Sequence, residues 1–134
     1  MATGMLLALP LANNVARAGQ APPEDDTIKK LLTERLVVYA EIHSLVFQGF
    51  KLGEISITDV LQARAALLSA ELDLCETKPQ RIEVHERMVQ LAQETYEIME
   101  KLARIPHVSR IDLLKAKAHL LEAKIGLERA KRAP

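Results

Sequence analysis

Four histidines and one cysteine are the side chains of this sequence with the most chemistry to offer: His43, His85, His107, His119 and Cys75. A metalloprotease needs H-E-x-x-H, which sets two imidazoles one helical turn apart with a general-base Glu between them, and no such run occurs. A di-iron bundle needs Glu three residues ahead of His, so that both ligands project from one helical face. The residues three before His43, His85 and His119 are Ala40, Ile82 and Ala116. His107 falls in a turn. His43 and His85 replace apolar residues on helical stripes about 15 Å apart along a bundle, too far to share a metal. His43 and His119 would lie at similar heights, but His119 falls off both apolar stripes of its helix. The reading is hydrogen-bonded or exposed histidines, with no metal and no cofactor expected. Cys75 has no second cysteine for an internal disulfide and sits on an apolar stripe, where a thiol behaves as a small hydrophobe. No Gly-rich phosphate loop, Cys-x-x-Cys pair or nucleophile elbow is present, and most carboxylates stand beside Lys or Arg on polar faces as solvated surface. These residue types point away from an enzyme.

The composition narrows the partners. The 134 residues carry 18 basic and 18 acidic side chains, interleaved and not gathered into blocks, so no net field draws in a polyanion and nucleic acid is not an expected partner. Hydrophobic residues make up 49% and aromatic ones 3%, which argues against disorder and leaves Leu, Ile, Val and Ala to fill the core of one compact domain. The even charge balance also weakens a role as an interfacial membrane helix, which usually carries excess Lys and Arg.

At the N-terminus, Gly4 to Ala12 is apolar and is followed by Ala16-Arg17-Ala18, an A-x-A signal for a peptidase that admits only small side chains. The run is far shorter than the roughly 20 residues that span a bilayer. Residues 1–18 therefore read as a signal peptide, although Met1-Ala2-Thr3 lacks the usual positive charge. Export to the periplasm or beyond follows, with no transmembrane segment in the mature chain. Residues 19–25, with Pro22 and Pro23, read as an extended spacer.

Residues 26–134 are expected to be helical. Breakers cluster at Gly49 to Gly53, Pro79 and Pro106, leaving four stretches. In the first, Leu31, Val38, Leu45 and Leu52 recur every seven residues with Ile28 and Ile42 between them, beside a second stripe of Leu32, Leu36, Tyr39, Val46 and Phe50. The other three stretches are built alike, so each helix presents a wide apolar face suited to two neighbours. Ser56 to Asp59 and Ser109 to Asp112 fit S-x-x-D, and Thr77 to Gln80 fits T-x-x-Q, all helix-start signals. Laying Gly53 to Cys75 over Pro106 to Glu128 gives nine identities, among them Ser56 with Ser109, Asp59 with Asp112 and Leu67 with Leu120, the mark of an internal duplication. The expected fold is all-α: two tandem helical hairpins (26–77 and 78–131) forming an elongated up-down-up-down four-helix bundle or coiled coil. Both Ser-capped turns then lie at one end.

The stretch Phe50 to Arg64, with Gly53, Ser56, Asp59, Val60-Leu61 and Ala63-Arg64 in order, resembles the periplasmic hairpin turns of the TolC family of outer-membrane efflux proteins. The second copy, Ile105 to Lys117, puts Pro106 in place of Gly and Lys117 in place of Arg. The helical resemblance spans about residues 27–129, but no strand-like alternation occurs where that family threads a barrel, and only Glu76 to Gln80 joins the repeats. The resemblance therefore does not imply transport through a membrane. It does imply a helix-turn-helix tip that docks periplasmic adaptor proteins, with Leu52, Gly53, Ile55, Ser56, Asp59, Val108, Ser109 and Asp112 as the contact residues. Capping alone also accounts for the Ser and Asp residues.

Three functional readings follow. The first is a non-enzymatic exported hairpin protein acting by helix-to-helix contacts in an envelope or efflux assembly, through a periplasmic adaptor or through self-association. The second is a small-ligand or metal-binding bundle serving as a stress sensor. The third is a purely structural helical oligomer.

Overall fold

The computed structural model describes residues 23–105 and 108–134. The expected signal peptide, the start of the spacer, Pro106 and the turn assigned to His107 lie outside the described residues. The fold is all-α, as the periodicity implies, with four helices: α1 (Pro23–Lys51), α2 (Ile57–Leu74), α3 (Lys78–Ala103) and α4 (Arg110–Arg132). The chain divides into two units, Met1–Leu31 and Leu32–Pro134. The described part of the first unit is the opening of α1, and the second unit holds the rest of α1 with α2, α3 and α4.

Each helix start has a visible cause. Ser56 Oγ accepts from the Asp59 backbone N–H at 3.3 Å and donates to the Asp59 carboxylate at 3.0 Å. Ser109 repeats this with Asp112 at 3.1 and 2.9 Å. Asp is too short to return a bond to the cap's own N–H, so it closes on the serine hydroxyl instead. The longer Gln80 does return: Thr77 Oγ1 accepts from Gln80 N–H, and Gln80 Oε1 accepts from the N–H groups of Thr77 and Glu76, a complete capping box. Helix α1 begins at Pro23, so Pro23 to Asp25 of the expected spacer belong to the helix. Proline suits this first position because its missing N–H would have no partner there and its φ is already helical.

Helices α2 and α3 share the central core: Leu61, Leu68, Val84 and Leu91 are buried together, with Ile57, Leu72, Cys75, Met88 and Ile98 packed around them. α3 also packs along α4, whose Ala116 and Leu120 are buried. α1 meets α2 through polar contacts, an Arg35–Asp73 ion pair and a bond from Arg64 Nε to His43 Nε2 at 3.2 Å. The expectation that every helix uses both stripes on its neighbours fails at the two outer helices, each of which buries one stripe only. On α1, Leu36, Tyr39 and Val46 are partly covered while Val38, Ile42 and Leu45 stand in solvent. On α4, Ala116 and Leu120 are covered while Ile111, Leu114, Leu121 and Ile125 stand in solvent. Neither outer helix covers the other's second stripe.

Candidate functional site

The two hairpin tips are built differently. At the first, α1 runs through Gly49 and ends after Lys51. The Glu54 N–H donates to the Gly49 carbonyl at 2.9 Å and the Gly53 N–H to the Phe50 carbonyl at 3.0 Å, a Schellman closure. That closure places Gly53 at φ +77, the left-handed region that glycine enters without a Cβ clash. Gly49 has a separate task. A Cβ there would lie 2.5 Å from Ile55 Cδ1, so the bare backbone is what lets Ile55 fold back against the end of α1. Spacing marked Gly49 only as a breaker; its packing role shows itself once Ile55 turns back over the helix. At the second tip, the Ile105 N–H donates to the Leu102 carbonyl at 3.2 Å and α3 ends before Pro106.

The expected contact residues fall into three groups. Ser56, Asp59, Ser109 and Asp112 are exposed, with their polar atoms committed to the caps. Ile55 and Val108 are half-buried, Ile55 folded back on Gly49. Leu52 is 74% exposed beside the exposed Gly53, and Ile105 stands in solvent at the other tip. Val108 and Asp112 share the lining of one groove with Thr58 from the start of α2.

The groove itself, about 770 Å³, is formed by α2, α3 and α4. Its walls are apolar, with Leu61, Met88, Leu91, Met99 and Leu102, and His85 and His119 are among its polar residues. Gly126 opens it: a Cβ there would approach the His85 ring to 3.1 Å. Among the described residues, no group of three His, Cys, Asp or Glu is placed to hold a metal. His43 accepts the Arg64 N–H on Nε2 and stacks on Phe47, with ring centroids 6.3 Å apart.

Cys75 lies at the end of α2, and its thiol donates to the Glu71 carbonyl at 3.4 Å. Burial pushes its pKa up, against the opposing pull of Arg81, so the thiol is a poor nucleophile at neutral pH. Elsewhere the charges pair across the surface: Arg87 donates to Glu71 from both terminal guanidinium nitrogens, at 2.8 and 3.3 Å. Lys117 of α4 lies 5.0 Å over the Tyr96 ring of α3.

Among the described residues, no helix is long and apolar enough to cross a membrane. No family model, no curated protein and no solved structure matches the chain.

Proposed function

We propose that this chain is a non-enzymatic, exported helical-hairpin protein that works by helix-to-helix contacts in an envelope or efflux assembly, similar in its hairpins to the soluble part of TolC-like proteins. One observation carries the reading. The tips commit their polar groups to caps while Leu52 stands three-quarters exposed at the turn, where an apolar side chain gains nothing unless another surface covers it. A recombinant helical hairpin from a periplasmic adaptor is the probe, titrated calorimetrically into the purified chain. Binding is expected, with affinity falling on the order of tenfold or more in Leu52→Asp while helical circular dichroism stays unchanged. No binding by the parent chain, or equal binding by the variant, overturns the reading. Export is checked separately by N-terminal sequencing of the periplasmic fraction, where a mature start at Gly19 is expected.

The groove supports a second reading, a binding site for a small apolar ligand, because leucine, methionine and alanine side chains make up most of its apolar wall and His85 and His119 are among its polar residues. A fluorescent apolar probe such as N-phenylnaphthylamine should then bind, and Met88→Arg should abolish its signal. An unchanged emission on titration removes this reading.

A further inference from the structure

The exposed stripes of the outer helices have a pattern of their own. On α1, Val38, Ile42 and Leu45 are spaced by four and three; on α4, Ile111, Leu114, Ala118, Leu121 and Ile125 alternate by three and four, and all eight are exposed. That is the spacing of a coiled-coil seam, in which two such rows interlock as knobs and holes. Within the chain each row faces solvent, so each lacks the second helix that its period demands.

The charges beside the seams name that helix. The residue just before each first core position of a heptad flanks the seam and meets the partner helix. On α1 these flanking residues include Glu34 and Glu41; on α4 they are Arg110, Lys117, Lys124 and Lys131. Two antiparallel copies of α1 would set acid against acid, and two antiparallel copies of α4 base against base. An α1 against an α4 sets acid against base. Direction follows too. Antiparallel helices bring these two flanks together, whereas parallel helices would bring Glu34 and Glu41 to the other flank of α4, where Lys115, Glu122 and Arg129 are mixed in sign. With Ile42 opposite Leu114, Val38 falls opposite Ala118 and Leu45 opposite Ile111, and the same register brings Glu41 to Lys117 and Glu34 to Lys124.

We propose that the exposed seam of α1 docks antiparallel on the exposed seam of α4 of a second copy of this chain. The contact is head-to-tail, since it joins two different surfaces. This deepens the helix-contact reading and rests on its premise that exposed helical stripes are contact surfaces, but it uses the flanks of the outer helices and leaves Leu52 untouched.

Sedimentation velocity of the purified full chain tests it through charge exchange. The parent chain should associate. Glu34→Lys/Glu41→Lys should weaken association on the order of tenfold or more, and so should Lys117→Glu/Lys124→Glu, because each places like charges along the seam. An equimolar mixture of the two double variants should associate again, since each then offers the flank the other lacks. General loss of folding cannot produce that rescue. Residue pairing is read in a Cys75→Ser background, where Ile42→Cys mixed with Leu114→Cys should form an intermolecular disulfide on mild oxidation. A parent chain that stays monomeric, double variants that associate like the parent, or a mixture that fails to recover each overturn the proposal. A monomer that still binds the adaptor hairpin overturns self-association alone, whereas a multimer that ignores the adaptor leaves the seam standing and removes the tip reading.

Discussion

Gly49 and Gly53 sit four residues apart and are required for unrelated reasons. Gly53 needs its backbone angle: nothing lies within 4 Å of where its Cβ would be, yet φ is +77. Gly53→Ala should therefore cost about 1 kcal/mol, measured by urea unfolding. Gly49 needs space. Gly49→Ala gains roughly 1 kcal/mol of helix propensity but displaces Ile55, so its net change should stay within about 1 kcal/mol while the Ile55 δ-methyl resonance moves. An unmoved methyl would mean that Ile55 does not rest on Gly49. Cys75 offers a pH test. Its folded pKa is raised by burial, so the folded state resists ionisation more than the unfolded chain does. The associated stability is fully present below the ordinary thiol pKa and is lost as pH rises through the raised folded value. Cys75→Ser should lower stability by a pH-independent amount near neutrality, because the thiol packs against the core, and flatten the alkaline limb of the profile; an unchanged limb would assign the alkaline loss to other groups.

The helix starts were legible in the sequence because a cap is a local event: Ser56, Thr77 and Ser109 act where the spacing to Asp59, Gln80 and Asp112 put them. Helix α1 starts three residues ahead of the boundary its sequence suggests, because a Pro-Pro pair has the composition of an extended segment whereas Pro23 occupies the first helical position. Periodicity displayed both stripes of each outer helix but not which one turns inward, since adjacent rows of leucine and valine have nearly equal transfer free energies and only the neighbouring helix breaks the tie. The tips were legible in the same partial way: their serines and aspartates could be placed, whereas the exposure of Leu52 depends on the Schellman closure. Leu120 and Leu121 make the choice of stripe measurable. Leu120 is 3% exposed and Leu121 49%. Leu120→Ala should cost about 2–5 kcal/mol, and Leu121→Ala below about 1 kcal/mol in dilute solution. Equal losses would mean that α4 packs in another rotation.

For the whole molecule, the buried apolar set is small: Val60, Leu61, Ala63, Leu68, Ala70, Val84, Leu91, Ala116 and Leu120 among the described residues, three of them alanines that contribute little transfer free energy each. A chain that keeps much of its large apolar surface outside leaves part of its stabilisation to whatever covers that surface. If a second copy does so, folding and association are linked by mass action, and the melting temperature should rise with protein concentration. A melting temperature constant over a hundredfold dilution would place the whole of the stability within one chain.

Lys117 lies over Tyr96, and the same ammonium flanks the exposed row of α4. The chain has two tyrosines and no tryptophan, so tyrosine emission is not drained by energy transfer to an indole. Any partner that lifts Lys117 from the ring changes the polarity and the collisional quenching that one of only two fluorophores experiences. The molecule thus carries its own label-free optical gauge of that surface, and a Tyr39→Phe variant would make the signal report on Tyr96 alone.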